Sequence, residues 1–363
     1  MNDLHKRKYF TGCMLGGAVG DALGWPVEFE SLMAIRHKYG HGGISDLLPS
    51  EDGYFEITDD TQMSLFTAEG LLRGWTDTQL SGAEPNFASA LRCSYLSWLK
   101  TQDGLTGITE AKNGWLIHIE GLHKRREPGD TCLSALRNLS CSDHDFATNS
   151  SKGSGGVMRA APAGLLAVQI SNGDKATVAQ LAFNIGCTAA KLTHGHPSGY
   201  YPAGVLAAVI ASILTGECIE EAIYTSLDIL QDYECSGETF DAIKSAVTLW
   251  QDKSVIPSPE AIELLGSGWV GEEALAIGLY CALTAKHDFV RGVKLAVNHS
   301  GDSDSTGSIT GNILGAMLGE QAIPHDWLKQ LELVDVIRQV GNDLFTTFEN
   351  SESWLKCYPL VNG

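Results

Sequence analysis

The chain has 363 residues, 44% of them apolar, which is enough for a sizeable core in one large domain or two ordinary ones. Its 44 acidic and 25 basic side chains give a formal net charge of −19, so its surface repels phosphate backbones and nucleic acid is excluded as an expected partner. Nine cysteines without a CxxC pair predict neither a disulfide framework nor a zinc ribbon, but mostly small core residues in a reducing, cytoplasmic compartment.

No membrane role is expected either. Basic residues before the apolar stretch 10–19 imitate a signal peptide, but that stretch is rich in glycine, runs into Asp21 and lacks a cleavage-like site. The longest apolar run, residues 203–214, is shorter than the roughly 20 residues that span a bilayer and is interpreted as a buried core helix.

Apolar residues recur at helical spacing along most of the chain, whereas alternating, β-branched patterns are scarce. The sequence therefore predicts an all-α protein with no evident domain boundary, a single domain over residues 1–363. The clearest predicted helices cover residues 87–99, 157–170, 178–192, 203–214, 274–285 and 309–318. Residues 101–151 and the tail beyond 320 carry no sharp motif.

Two glycine stripes at i, i+4 spacing stand near the two ends of this pattern: Gly12, Gly16, Gly20 and Gly24, and Gly307, Gly311, Gly315 and Gly319. Each interior glycine costs about 1 kcal/mol relative to alanine, so the stripes indicate close backbone approach. They can pack on each other or each on a different neighbour. Antiparallel mutual packing would bring Glu28 to Asp302 and Asp304.

The strongest local signal is Thr58-Asp59-Asp60 before a helical run. One interpretation is a helix cap, with Asp59 as the N-cap and Gln62 completing a capping box. The other is a set of metal ligands.

A second acidic segment, residues 300–307, also precedes a helix. Asp302, Asp304, Thr306 and Gly307 fit the first positions of a calcium-binding loop, but Ile313 stands where that loop needs glutamate. A cluster of hard oxygen donors remains. Five carboxylates brought together would raise one another's pKa values unless cations balanced them, and oxygen ligands favour Mg²⁺ or Mn²⁺.

Three further features each have two interpretations. Residues 153–159 form either a plain flexible loop or an anion site at the start of the helix expected near Val157. The pair His194 and His196 lacks zinc partners at metal spacing and suits hydrogen bonding to a substrate better than metal binding. Trp269 is either a core residue or a stacking platform for a base.

Six blocks, taken in order, resemble the successive signatures of the ADP-ribosylglycohydrolase family: GDALGWPVEF, ITDDTQM, GSGGVMRAAP, LTHGHP, GWVGEEALAIGLYC and HSGDSDSTGSITGNILGAMLG. The resemblance spans residues 10–319. It implies a compact orthogonal multi-helix bundle with a binuclear Mg²⁺ or Mn²⁺ centre.

The resemblance also implies roles for particular residues. Metal ligands would be Thr58, Asp59, Asp60, Asp302, Asp304 and Ser305, and catalytic residues Glu28, Asp60 and Asp304. Substrate-binding residues would be Gly153, Ser154, Gly155, Gly156, Val157, Met158, Arg159, His194 and Trp269, together with Glu127, which stands where arginine-specific relatives carry an acid.

The hypothesis is a hydrolase that releases ADP-ribose from a modified protein side chain, with arginine as the expected linkage. Two ions would hold the ribose hydroxyls and activate the attacking water, and carboxylates would stabilise an oxocarbenium-like transition state. A non-hydrolytic immunity protein that binds an ADP-ribosylated partner or an ADP-ribosylating toxin is the alternative, and a metal-free glycosidase with two carboxylates is a third. Arginine, serine and small-molecule linkages stay open.

Overall fold

The computed structural model describes residues 3–103, 114–171 and 177–361, and this part of the chain is helical without any strand. The all-α prediction is confirmed. The described helices are α1 Asp3–Gly24, α2 Leu32–Tyr39, α3 Asp59–Ser81, α4 Phe87–Asp103, α5 Asp130–Ser140, α6 Ala161–Ile170, α7 Val178–Lys191, α8 Pro197–Leu214, α9 Ile219–Leu230, α10 Gly237–Gln251, α11 Pro259–Ile262, α12 Gly271–Ala285, α13 Phe289–Val297, α14 Ser303–Leu318, α15 His325–Gln330, α16 Val334–Thr346 and α17 Glu352–Cys357.

Each predicted helix has a counterpart, but one begins later than expected. The helix predicted over residues 157–170 starts at Ala161, because Pro162 at the second position of α6 is suited to a helix start. Residues Ser154–Gly156 form a separate 3-10 turn. The interpretation of residues 153–159 as a loop opening directly onto a helix at Val157 is therefore wrong in detail.

The two glycine stripes pack on each other along α1 and α14, which run antiparallel. A Cβ added to Gly16 would lie 2.3 Å from the carbonyl oxygen of Gly311, and one added to Gly20 would lie 2.0 Å from that of Gly307. At the far end, a Cβ on Gly315 would lie 2.0 Å from the carbonyl oxygen of Gly12. Of the two arrangements that the sequence left open, the structure therefore has the mutual packing of the stripes. We call this contact of α1 with α14 the glycine seam, and no side chain fits between the two backbones along it.

The interior around this seam is apolar and continuous, and its buried cluster extends from Phe10 in α1 to Tyr358 after α17. Among the described residues only α8 is long and apolar enough to cross a membrane, and 78% of it is buried within the protein. The predicted core helix over residues 203–214 is thereby confirmed.

All nine cysteines are free thiols. Only Cys13, Cys132, Cys187 and Cys281 are buried, so the expectation that most of the nine lie in the core is wrong. Of the others, Cys93 lies within α4 and is partly exposed, and Cys141, Cys218, Cys235 and Cys357 lie at helix ends or in a loop.

Candidate active site

The seam ends where its two helices present acidic residues. Glu28 follows the single 3-10 turn Trp25–Val27 after α1, and its backbone N–H donates to the Gly24 carbonyl over 3.0 Å. Asp302 is the N-cap of α14, and Asp304 lies in that helix's first turn. Ligand oxygens of Glu28, Asp302 and Asp304 all lie within 4.8 Å of one another. The antiparallel seam therefore brings together carboxylates that are more than 270 positions apart, as the sequence predicts.

The N-terminus of α3 completes the cluster. Thr58 is the N-cap, since its hydroxyl accepts a hydrogen bond from the backbone N–H of Asp60 over 3.3 Å. The predicted capping box of Asp59 and Gln62 is wrong, because α3 begins at Asp59 and the Gln62 amide bonds Trp98 and the Lys124 carbonyl instead. Asp59 and Asp60 both stand in the first turn, where the helix dipole favours negative charge.

Asp21 is one of the residues of this site that sequence reasoning missed. Fully buried in α1, its carboxylate accepts hydrogen bonds from the backbone N–H and hydroxyl groups of both Thr58 and Thr61. The Thr58 hydroxyl also lies 3.4 Å from Asp304. Asp21 thus fixes the start of α3 against α1. Its only signal in the sequence is an acid placed inside an otherwise apolar, glycine-rich helix.

Burial governs the protonation of these acids. It raises the pKa of Glu28 to about 9, with the charges of Asp302 and Asp59 adding to the effect, and the pKa of Asp59 to about 8. The pKa values of Asp60 and Asp304 are raised well above the usual range by burial first and neighbouring carboxylates second. Burial likewise raises the pKa of Asp302. The carboxylates repel one another when ionised, so the cluster is stabilised either by protonation or by bound cations.

The donor set fits divalent cations. Within the described part of the chain, the Oε2 atom of Glu28 and the Oδ1 atom of Asp60 are buried without a hydrogen-bond partner, which is costly for a carboxylate unless a cation or a bound ligand satisfies it. Every donor in the cluster is an oxygen, a set that favours Mg²⁺ or Mn²⁺ over zinc or copper. The residues present can therefore hold a metal ion.

A cavity of about 660 Å³ opens over the cluster, a volume suited to a small ligand. Its walls combine the acids with two loops and an aromatic pair. The lining residues include Glu28, Phe29, Asp59, Asp60, Arg125, Glu127, Pro128, Gly129, Asp130, Ser154, Gly155, Met158, Trp269, Asp302, Asp304 and Ser305.

The loop at 153–159 contributes to the cavity only in part. Ser154, Gly155 and Met158 line it, whereas Arg159 is fully buried behind the wall. The Arg159 guanidinium donates to the Gly155 carbonyl over 2.6 Å and to the Thr193 hydroxyl over 2.5 Å, and it stacks on the Tyr95 ring. Arg159 therefore supports the loop from inside rather than facing a ligand.

His194 also lies behind this loop. It is buried, its Nδ1 atom is 2.8 Å from the Thr193 hydroxyl, and a Cβ on Gly153 would lie 3.4 Å from its Nε2 atom. Burial, followed by the charge of Arg159, lowers the pKa of His194 to about 3, so the ring is neutral. Its neighbour His196 accepts a hydrogen bond from the backbone N–H of Ser198 as the N-cap of α8. The two histidines do not converge on one point.

An aromatic pair forms another part of the cavity wall. Trp269 stacks on Phe29 with ring centroids 5.0 Å apart and an angle of 22° between the planes. Phe29 directly follows Glu28 and has a left-handed φ of +65°, which is uncommon for a bulky residue. The backbone N–H of Ser154 donates to the Trp269 carbonyl, joining this pair to the loop. Phe29 was missed from the sequence, where no periodicity marks it.

The loop at 125–130 closes the opposite side. The backbone N–H of Gly129 donates to Asp59 over 3.2 Å, which ties the loop to the acidic cluster. Glu127 is exposed, lines the cavity and has a φ of +43°. Arg125 is the one basic residue in the wall, and it pairs with Asp103 over 3.4 Å.

Arg126 anchors this loop and was also missed. Its buried guanidinium donates to the Ile57 carbonyl over 2.7 Å, to Glu56 over 3.0 Å and to both oxygens of Glu332. It also lies over the ring of Trp25, 5.5 Å from the ring centroid. One side chain therefore joins the segments that precede Glu28, Asp59 and Glu127.

The fold and the cavity first define a class: an all-α protein with a cavity lined by carboxylates. The chain belongs to the ADP-ribosylglycohydrolase family, because the profile of that family matches residues 2–353. Hydrolysis of an ADP-ribosyl linkage is the activity class that this membership supports.

Known proteins are similar over nearly the whole chain. The ADP-ribosyl-[dinitrogen reductase] glycohydrolase of Rhodospirillum rubrum is 25% identical, with 89% of this chain and 90% of that protein covered. The ADP-ribosylarginine hydrolase Tri1 of Pseudomonas putida is 22% identical, with 92% of this chain and 77% of that protein covered. A solved structure, an ADP-ribosylglycohydrolase-related protein complex, superimposes with a TM-score of 0.62 at 25% identity, covering 94% of this chain and 98% of that one.

Proposed function

We propose that the protein hydrolyses the N-glycosidic bond between ADP-ribose and an arginine side chain of a modified protein, in a reaction that depends on two Mg²⁺ or Mn²⁺ ions. The observation that carries the proposal is the buried cluster of acids at the end of the glycine seam, with its partnerless carboxylate oxygens facing one cavity. Such a cluster is unfavourable for folding, and a functional role accounts for its presence.

The residues proposed to hold the ions are Thr58, Asp59, Asp60, Asp302, Asp304 and Ser305. Bound there, the cations would supply positive charge and Lewis acidity next to a hydroxylated sugar. The ribose attached to the scissile bond is proposed to lie over the same acids, since its diol is the part of the substrate that hard cations and carboxylates bind.

Glu28 is proposed as the group that takes a proton from the attacking water. Its Oε2 atom has no hydrogen-bond partner among the residues that the structure describes, and Glu28 lines the cavity beside the other acids. The water oxygen bonds to C1″, the C1″–N bond breaks, and the cationic guanidinium departs as a neutral guanidine that then takes up a proton. Cations held by the neighbouring ligands would lower the raised pKa of Glu28 and so favour its ionised form as the base. Asp60 and Asp304 stabilise the developing positive charge on the sugar ring.

An arginine linkage is proposed on two grounds. Glu127 and Asp130 are exposed carboxylates in the wall beyond the acidic cluster, where they can pair with the cationic guanidinium of the substrate. A bacterial relative covering most of the chain is an ADP-ribosylarginine hydrolase by name. A serine linkage offers these two acids no cation to bind.

The test is to measure ADP-ribose release from two matched substrates, one linked through arginine and one through serine, with Mg²⁺, with Mn²⁺ and with excess EDTA. Arginine-linked ADP-ribose should be released only in the presence of a divalent ion. Full activity in EDTA would refute the role of metal ions, and preferential cleavage of the serine linkage would refute the arginine assignment.

A further inference from the structure

Large apolar side chains are exposed around the mouth of the cavity. Phe29 is 64% exposed, Met33 81%, Leu264 72% and Trp269 38%. We call these four residues the rim patch. Single apolar residues on a surface need no explanation, but several grouped beside a functional cavity mark an interaction site.

Hydrogen bonds join the segments that carry the members of the rim patch. The hydroxyl of Ser300, two residues before Asp302, accepts from the backbone N–H of Leu32 over 2.9 Å and donates to Glu263 over 2.6 Å. Met33 directly follows Leu32, and Leu264 directly follows Glu263. Phe29 and Trp269 stack and line the cavity itself. The patch therefore extends from the cavity wall across α2 to the turn Glu263–Leu265.

Around the patch, acidic residues outnumber basic ones. Glu30, Glu260 and Glu263 are exposed beside it, whereas the basic side chains are Arg36, which pairs with Glu260, and Lys38, which lies within the electrostatic influence of Glu30. Inside the mouth lie the acids of the cluster and Glu127. A partner that covers this rim must bring apolar groups to the patch and positive groups to the acids.

We propose that the rim patch is the docking surface for the protein that carries the ADP-ribose, and that this protein presents apolar and basic side chains around its modified residue. The inference rests on the proposed function. Because the ADP-ribose is covalently attached to its carrier and enters the cavity, the carrier must lie against the mouth. Four side chains are too few for a stable interface between two copies of the chain, but they suit a transient enzyme–substrate contact.

The experiment compares three substrates: free ADP-ribosylarginine, a peptide with ADP-ribosylarginine between lysines and leucines, and a peptide with it between glutamates and serines. The variants are Met33→Ser and Leu264→Ser, which alter the patch without touching the cavity wall. Leu80→Ser is the matched control, because Leu80 is also exposed but lies at the opposite end of α3, about 30 Å from Asp59.

Wild-type protein should cleave the basic, apolar peptide with the highest kcat/KM. Each patch variant should lower kcat/KM for this peptide about tenfold through a higher KM, and its kcat/KM for free ADP-ribosylarginine should equal that of the wild type. The Leu80→Ser control should match the wild type on all three substrates. Equal kcat/KM for both peptides, or equal losses on the peptide and on free ADP-ribosylarginine, would overturn the docking proposal while leaving the hydrolase intact. If none of the three substrates were cleaved, the proposed function and the docking proposal would both fail.

Discussion

The glycine seam and the acidic cavity at its end differ in how their groups are packed. Along the seam, α1 and α14 meet through backbone alone, and a Cβ added at Gly20 would lie 2.0 Å from a carbonyl oxygen. In the cavity, carboxylate side chains from several elements meet, and buried carboxylate oxygens of Glu28 and Asp60 have no hydrogen-bond partner among the described residues. The glycine seam is closely packed, whereas the acidic cluster contains buried carboxylates that are unfavourable for folding. The packing of α1 on α14 therefore holds these carboxylates in place. The glycine seam therefore serves the site by fixing the positions of Glu28, Asp302 and Asp304.

The largest expected effect is on the acidic side of this comparison. Asp304→Asn keeps the size of the side chain but removes a charge from the cluster, and we expect kcat to fall about a thousandfold or more. Asp326→Asn is the control, since that side chain is 98% exposed in α15. Full activity in Asp304→Asn, measured as ADP-ribose release with Mn²⁺ present, would contradict the assignment.

The next effect is on the seam. Gly311→Ala forces a Cβ against the Gly16 carbonyl oxygen and should lower the free energy of unfolding by about 3 kcal/mol. Gly237→Ala, at the first position of α10 where a Cβ meets open space, should be neutral or slightly stabilising. Chemical denaturation measures both, and equal stability of the two variants would show that the seam tolerates side chains.

A third effect concerns pH in the absence of metal. The pKa of Asp59 is raised from its ordinary value of 3.8 to about 8 in the folded protein. A carboxyl whose pKa is raised on folding stabilises the protein fully below pH 4, and this stabilisation is lost as the pH rises toward 8. Protein in EDTA should therefore melt roughly 5 °C lower at pH 9 than at pH 5.

Two controls test whether Asp59 and its neighbours cause this change. Asp59→Asn should flatten the pH dependence of the melting temperature, and saturating Mn²⁺ should do the same in the wild type because bound cations stabilise the ionised acids. A melting temperature that rises between pH 5 and pH 9 in EDTA would have the wrong sign for this account.

The smallest effect is expected at the aromatic wall. Trp269→Ala removes the partner of Phe29 and, if the pair receives the adenine, should weaken ADP-ribose binding about fivefold. Isothermal titration with ADP-ribose measures this change, and Trp250→Ala, in α10 outside the cavity wall, is the control. An unchanged Kd for Trp269→Ala would show that Trp269 does not contact the adenine.

Much of the fold could be predicted because its main signals are local. The helical periodicity and the two glycine stripes are visible in the sequence. The meeting of Glu28 with Asp302 and Asp304 follows from them only once the stripes are known to pack antiparallel on each other, which the sequence left open. The start of α3 was misplaced by one residue, since Thr58 and Asp59 are both good caps and only the contacts of Asp21 favour Thr58.

Other parts of the site could not be predicted because they depend on contacts between distant segments. Arg126 contacts Glu56, Ile57 and Glu332, which no spacing in the chain connects. Arg159 and His194 stand in motif blocks, yet they lie behind the cavity wall, because a motif marks a segment without fixing which way each side chain points. Residues 104–113, within the stretch that showed no sharp motif, lie outside the described residues.

The most direct test of the central claim is a crystal grown with Mn²⁺ and measured for anomalous scattering at the manganese edge. The account predicts two anomalous peaks among the side-chain oxygens of Asp59, Asp60, Asp302 and Asp304. No peak at these residues in crystals of protein that is active with Mn²⁺, or manganese bound only elsewhere on the molecule, would contradict it.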